Sequence, residues 1–314
     1  MTGARAEIAI AACRVDATAG AHDLFPDADS DLLVNALETL GLESEVVSWD
    51  DPQAEWRRRC LVVVRSTWDS VDRPGEYVEW AREVGAVTKL VNSPDMLAWN
   101  LDKAYLQDLA ADSVSVVPTA WIFPGQDWGL PRAEFVIKPS ISAGGRETAA
   151  YGPDGLDEAG DHVRRLLGQG LTVMVQPYLA SVVDPGELSL IFIDGRFSHA
   201  VGKDPLLQMG AGVQERLWER ITFRGLLDPA PAQLKAARVA LGSVERRFEE
   251  TPAYARVDLL DDRAGQPLVL EVELIDPNLS LGLFPTAAAT LGEALANRVT
   301  ELHPPRRPSR RERH

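Results

Sequence analysis

The sequence predicts a mixed fold, α/β at the N-terminus and α+β beyond, with room for two or three lobes in its 314 residues. Three observations carry this expectation. Strand and helix periodicities alternate over residues 1–93, the pattern of a parallel sheet covered by helices. Two hairpins follow, one around Asp194-Gly195 and one joining Tyr254–Leu260 to Pro267–Leu274 through an Asp- and Gly-rich turn. Amphipathic helices fill the gaps, at Leu156–Gly168, Pro231–Phe248 and Pro285–His303.

Residues 1–93 make the first domain. Glu7–Cys13 reads as a buried strand, and Asp29–Leu40 as a helix with an acidic start that stops at Gly41. Glu43–Val47, Cys60–Val64 and Thr88–Val91 supply further strands, with the helix Pro74–Val84 before the last. Ligands of open parallel sheets sit beyond the carboxyl ends of the strands. That places Arg14 and the run R-S-T-W-D, Arg65–Asp69, at the edge of a crevice. Arg65 can hold a carboxylate, Thr67 can donate a hydrogen bond and Trp68 can form a wall. A capped loop with Trp68 packed beneath it is the alternative. No G-x-G-x-x-G follows the first strand, so the pattern of a dinucleotide site is absent.

A helical connector occupies residues 94–120. Trp99, Leu106 and Leu109 give Pro94–Asp112 an apolar stripe, and Asn100, Asp102 and Lys103 fall around a break in it. A single helix lysine is usually solvated; at a domain junction Lys103 becomes a candidate ligand. Residues 121–180 form the next unit. Glu134–Ser140 is a strand ending in Lys138 and running into I-S-A-G-G-R-E-T. The small residues Ser140, Ser142, Gly144 and Gly145 let backbone N–H groups approach a phosphate, with Lys138 and Arg146 to balance its charge. Lys138 precedes the glycines, so this is not a P-loop. The strand Leu171–Gln176 leads into Pro177, Tyr178 and Leu179, where apolar walls and free backbone groups suit an adenine ring.

Residues 181–303 form the last folded unit. Glu187 opens the first strand of the Asp194-Gly195 hairpin, where its carboxylate can accept ribose hydroxyls. His199 and Lys203 lie four apart on one face of the second strand. Lys203 suits a substrate carboxylate or phosphate, whereas His199 fits either a general base or a hydrogen-bonded structural histidine. The Gly-containing stretch Pro205–Leu217 is a candidate for closing over the site. In the second hairpin Glu271 and Glu273 share a sheet face, and the neighbouring strand can bring Asp258 beside them. Hard oxygen ligands grouped this way suit Mg²⁺, and Arg256 on the same face can meet a phosphate oxygen. The competing reading is a solvated face of an acidic protein; Arg-x-Asp opposite E-x-E moves the balance toward a metal–phosphate site.

Composition bounds the function classes. The net charge of −15 argues against non-specific nucleic-acid binding. No apolar run approaches a membrane span, and the N-terminus reads as a strand rather than a secretory signal. Cys13 and Cys60 lack metal-ligand spacing and read as reduced core residues, which points to the cytoplasm. Residues 304–314 carry five arginines and one glutamate with nothing to bury, as expected of a disordered tail.

The order of these segments resembles a known family. A small α/β domain, a connector lysine, K-P-S with a Gly loop, Q-P-Y-L, G-E, S-H-A-V, R-V-D and E-V-E are together similar to the ATP-grasp superfamily of carboxylate–amine ligases. R-S-T-W-D, V-Q-P-Y-L, F-S-H-A-V and L-E-V-E-L-I-D-P resemble in particular the branch with the cycloserine-pathway cyclo-ligase, which closes O-ureidoserine into a ring. The resemblance implies that two α+β lobes enclose ATP, with Lys103, Lys138 and the Ser140–Arg146 loop on its phosphates. It implies Gln176–Leu179 at the adenine, Glu187 at the ribose, and Mg²⁺ held by Asp258, Glu271 and Glu273. Many superfamily members have Asn where this chain has Glu273, which leaves the number of metal ions open; Asn278 offers a nearby amide oxygen. The implied chemistry is an acyl phosphate displaced by an amine, with Arg256 and Lys203 neutralising charge. The substrate is then a small amino-acid derivative facing Arg14, Arg65, Thr67, Trp68, His199 and Asn278, and pairing of two chains through the N-terminal domain is a further implication. Three functions remain open: an intramolecular cyclo-ligase, an intermolecular amino-acid or peptide ligase, and a non-catalytic ATP-binding protein.

Overall fold

A computed structural model describes residues 7–13, 28–205, 207, 209–213 and 221–302. Arg14, the basic tail and parts of the Pro205–Leu217 stretch lie outside the described residues.

Four parallel strands, β1 (Glu7–Ala12), β2 (Glu43–Ser48), β3 (Leu61–Ser66) and β4 (Lys89–Val91), form the first sheet in the order β2-β1-β3-β4. Every residue of β3 is buried, as a central strand covered on both faces requires. Helix α1 (Ala28–Thr39) carries Asp29 and Asp31 in its first turn and packs Leu33 and Leu37 on one face with Ile8, Ile10, Leu61 and Val63. On the other face α2 (Pro74–Val87), with Pro74 in its first turn, places Tyr77, Trp80 and Val84 against Val62 and Val64. Cys13 is buried and Cys60 half-buried.

The connector is two helices of seven residues, α3 (Pro94–Asn100) and α4 (Tyr105–Ala111). They break where Asp102 Oδ1 accepts the Ala104 N–H at 2.9 Å, a local side-chain bond that replaces the continuing ladder. The break carries Lys103 out of the helix and toward the centre of the molecule.

Two antiparallel sheets follow. The smaller, in the order β5-β8-β6-β7, comprises β5 (Ala120–Ile122), β6 (Phe135–Pro139), β7 (Ala149–Tyr151) and β8 (Val173–Pro177). Helix α5 (Leu156–Gly168) covers it, packing Ala159, Val163 and Leu166 onto Phe135, Ile137 and Val173. Each fully buried aliphatic side chain of this kind contributes roughly 1.5–3 kcal/mol. The larger sheet, in the order β11-β10-β9-β12-β13, comprises β9 (Glu187–Ile193), β10 (Arg196–Lys203), β11 (Phe223–Leu227), β12 (Tyr254–Asp261) and β13 (Pro267–Glu273). Helix α6 (Pro231–Phe248) packs on one face through Ala237, Ala240, Leu241 and Val244. The C-terminal helix α7 (Thr286–Leu302) joins the core on the other face and lies against α1.

Strands β5 and β11 were not anticipated; β5 has three residues and β11 alternates weakly, with exposed Leu226 and Leu227. The simple alternation expected for β13 is also corrected. A register shift after Asp258 pairs Leu259 with Val269, so Val269 and Val272 enter the core while Leu270 lies out of step. Among the described residues no helix is long and apolar enough to cross a membrane.

Candidate active site

One cavity of about 380 Å³ lies where the three sheets approach one another. Its floor is one face of the larger sheet. On that face the register sets Glu187, Ser189 and Ile191 of β9 opposite Lys203, Val201 and His199 of β10, and sets Ser189 and Ile191 opposite Asp258 and Arg256 of β12. Polar residues gather at the cavity end of the face, while Ile191, Ile193, Val201 and Tyr254 continue it as core.

Asp258, Glu271 and Glu273 bring ligand oxygens within 4.8 Å of one another, as the hairpin predicts. Asp258 accepts from Arg256 Nε (2.9 Å), Arg256 Nη2 (2.9 Å), Ser189 Oγ (2.6 Å) and Lys203 Nζ (3.0 Å). Against the opposing effect of burial, Arg256 and Lys203 hold its pKa well below the usual carboxylate range. Glu271 is 3.2 Å from Lys103 Nζ, and Lys103 and then Lys138 lower its pKa against burial. Glu273 accepts from Arg256 Nη2 at 2.5 Å, yet burial, with Glu271 and Asp258 nearby, raises it to about 7. Three carboxylate oxygens at this spacing, with flanking cations to hold the charge, fit a hard divalent cation.

The phosphate-binding candidates face the same space. Lys103 Nζ donates to the Ser142 carbonyl at 2.6 Å, and its own N–H to the Ser140 carbonyl at 2.9 Å. The Lys138 ammonium makes no hydrogen bond or ion pair among the described residues, and burial, opposed by Glu271 and aided by Lys103, lowers it to about 8. A buried ammonium without a partner fits an anion that arrives as a ligand. Ser142, Gly144, Gly145 and Arg146 line the cavity, with both glycines at positive φ (60° and 73°), where a side chain is strained. Arg146 itself is turned toward the N-terminal sheet domain and holds Asp72 at 2.8 and 2.9 Å.

Gln176, Pro177, Tyr178 and Leu179 line the cavity at the end of β8. Gln176 is fixed by Thr119 Oγ1 (2.9 Å), and the Tyr178 N–H is returned to the Glu134 carbonyl (3.0 Å). Leu260 and Leu270 also line the cavity, so the irregularity of β13 supplies an apolar floor that strict alternation conceals. Glu187 lines it too, bonded to Lys203, and burial raises its pKa.

At the N-terminal side Arg65 and Trp68 line the cavity. Arg65 is 2% exposed; its Nη2 donates to the Pro277 carbonyl (2.8 Å), while Nε and Nη1 have no partner among the described residues. Asp276 stands on the same wall, raised to about 6 by burial, and accepts from Thr67 Oγ1 at 3.2 Å. The sequence signal for Asp276 was its place in the L-I-D-P-N run beside the carboxylate-bearing hairpin, and it was missed.

Four expectations are corrected. His199 is outside the cavity: it is buried, shares a hydrogen bond with the Leu279 carbonyl (3.0 Å) and stacks on Phe284 (5.0 Å). It is a structural histidine. Thr67 is wholly buried and does not line the cavity; its hydroxyl is bonded to Asp276 instead. Ser140 is buried behind the loop, its backbone tied to Thr172 and Lys103. Asn278 borders the cavity, but its Oδ1 is engaged by Ser280 N–H (2.8 Å) and Oγ (3.2 Å), which leaves the metal cluster to the three carboxylates. Of the Pro205–Leu217 stretch, Leu207 lines the cavity and Met209 bridges Ala150 beside the glycine loop.

The family described as the D-cycloserine synthetase DcsG N-terminal domain matches residues 8–92. The cycloserine biosynthesis protein DcsG of Streptomyces lavendulae is 36% identical over 285 residues, covering 87% of this chain and 94% of that protein. The chain belongs to the DcsG family. The crystal structure of D-cycloserine synthetase DcsG superposes with a TM-score of 0.83 at 32% identity, over 93% of this chain and 99% of that one. D-alanine–D-alanine ligase from Bacillus anthracis, solved with ATP, shares the fold at a TM-score of 0.63 and 11% identity, over 95% and 98% of the two chains. This DcsG-family chain is therefore an ATP-grasp ligase, of a class that forms C–N bonds with ATP and Mg²⁺.

Proposed function

We propose that this DcsG-family enzyme closes a ring within a small amino-acid derivative, joining its carboxylate to a nitrogen of the same molecule at the expense of ATP. The observation that carries the reading is the joining of two sets of groups in one cavity. The carboxylate triad and partnerless Lys138 lie on one side, and Arg65, Trp68 and Asp276 on the other. Bound Mg²⁺ would sit on Asp258, Glu271 and Glu273 and supply charge stabilisation at the phosphates.

The chain's own groups do the remaining work by position and charge. Lys103 and Lys138 grip phosphate oxygens, Gly144 and Gly145 bring backbone N–H groups against them, and Gln176–Leu179 seat the base. Arg256, held between Asp258 and Glu273 on the cavity wall, would offer its cation to the charge that develops as a carboxylate meets the γ-phosphate. Lys203 neutralises Glu187 and Asp258, which keeps Glu187 available to sugar hydroxyls. Arg65 and Asp276 offer a donor and an acceptor to the substrate's polar groups. Similarity to a cycloserine biosynthesis protein over 94% of its length supports an O-ureidoserine-type substrate.

The test is ADP release with ATP and Mg²⁺ against amino acids, ureido-amino acids and dipeptides, alone and in pairs. A single ureido-amino acid should release ADP in proportion to a cyclic product. Release that requires two compounds would replace ring closure by intermolecular ligation. ATP binding without substrate-dependent ADP release would leave a binding protein.

A further inference from the structure

Strand β13, which carries Glu271 and Glu273, is the last strand of its sheet, so one row of its backbone groups faces away from β12. Such groups need partners when buried. At Val269 the partners are backbone: its N–H donates to the Ser115 carbonyl (2.8 Å) and its carbonyl accepts from the Val117 N–H (2.9 Å). Beyond the irregularity at Leu270 the partners are side chains. The Val272 N–H donates to Tyr105 Oη (2.9 Å), and the Val272 carbonyl accepts from Asn100 Nδ2 (2.7 Å). The Leu274 N–H donates to Asn100 Oδ1 (2.7 Å), and its carbonyl accepts from Asn92 Nδ2 (2.7 Å). Three side chains thus stand in for a neighbouring strand along the residues that separate and follow the two glutamates.

Asn100 and Tyr105 also bracket the turn that presents Lys103, whose Nζ reaches both Glu271 (3.2 Å) and the phosphate loop at the Ser142 carbonyl (2.6 Å). Asn100 is 7% exposed and Tyr105 2%, with the Tyr105 ring packed on Trp99 (4.8 Å). We infer that Asn100 and Tyr105 are positioning residues for the metal carboxylates. They set the spacing of Glu271 and Glu273 by fixing the peptide between them. Through the shared turn they lock that spacing to the lysine that grips phosphate. Mg²⁺ demands near-ideal octahedral geometry, so a small drift of one peptide would be felt at the ion. Outer-shell partners of metal ligands are worth about 10–100-fold in affinity.

The inference rests on the metal reading above, and its test separates the two. Mn²⁺ binding to the full-length protein with ADP is measured by the EPR signal of free Mn²⁺, alongside ADP affinity without metal and thermal unfolding. Tyr105→Phe removes one oxygen and should weaken Mn²⁺ binding about tenfold. Asn100→Asp keeps the acceptor, loses the donor and should weaken it at least as much. Metal-free ADP affinity, which depends on the lysine in the shared turn, should fall by less than Mn²⁺ affinity in both. Ser243→Ala is the control, since it removes a hydrogen bond to Asp112 at the end of the same connector but off the strand. It should leave Mn²⁺ affinity unchanged at a similar cost in Tm. Wild-type Mn²⁺ affinity in the two variants, or an equal loss in the control, would overturn the inference. If Asn100→Asp does not fold, Tyr105→Phe decides alone. A wild-type protein that binds ADP but no Mn²⁺ would instead defeat the metal reading beneath it.

Discussion

At Glu273 the chain carries a carboxylate where the superfamily resemblance leads one to expect an amide, and Arg256 compensates for it by bonding Asp258 and Glu273 together. Arg256 is thereby fixed before any ligand arrives, which suits a group meant to meet developing charge. Removing a ligand should therefore stop turnover without unfolding the chain. Asp258→Asn or Glu271→Gln is expected to reduce ADP release at least about 10³-fold with an unchanged circular dichroism spectrum; near-native turnover in both would refute the metal assignment. A second residue-scale expectation lies away from the cavity. His162 is buried, hydrogen-bonds Tyr151 Oη at 3.0 Å, and is lowered to about 4 by burial and by Arg165. Between that value and the ordinary 6.5 the unfolded chain binds the extra proton, so stability falls as pH drops through this window. The loss is on the order of 2 kcal/mol. Denaturant unfolding at pH 7 and pH 4.5 should show a smaller drop for His162→Gln than for the wild type.

At the scale of elements, the glycine loop and strand β13 show where sequence patterns hold and where they fail. The glycine loop was legible because Gly144 and Gly145 adopt positive φ, which composition alone makes plausible for a loop at the end of a strand. Gly145→Val is expected to strain this turn by about 1–2 kcal/mol, which lowers Tm by a few degrees, and to raise the KM for ATP about tenfold. Equal KM values by initial-rate kinetics would remove the loop from the nucleotide site. Strand β13 was legible as an alternating strand, but its register shift was not, since a bulge costs only one extra residue and leaves composition unchanged. That shift is why Leu270 reached the cavity unforeseen while Glu271 and Glu273 kept their expected face.

At the scale of the whole molecule, the N-terminal sheet and the larger antiparallel sheet are joined by buried polar ties. Asn92 donates to the Tyr254 (3.0 Å) and Leu274 (2.7 Å) carbonyls and accepts from the Ala253 N–H (2.7 Å). Asp29 accepts the N–H groups of Leu279 (2.7 Å) and Leu281 (2.9 Å), and Tyr254 Oη donates to the Val64 carbonyl. These ties hold Arg65 and Asp276 on the wall of the cavity that the nucleotide groups share. Replacing Asn92 by leucine leaves three buried backbone groups unpaired and should cost about 3–5 kcal/mol, read as a lower midpoint in urea. A midpoint within error of wild type would show that water or relaxation replaces the tie.

The sequence by itself determined the class of fold, the order of its units and most of the groups that the fold gathers in one cavity: the carboxylate triad, Lys103, Lys138, the glycine loop and the Gln176–Leu179 segment. These were readable because periodicity and short motifs are local, and a strand pins its side chains to one face or the other. Tertiary structure alone decided that His199 is buried against Phe284, that Asp276 and Leu270 join the cavity, and that Asn100 and Tyr105 bond the outer edge of β13. Each of those depends on a partner distant in the sequence, about 170 residues away for Asn100 and Val272. No local pattern records which backbone group a polar side chain will meet when the chain closes on itself.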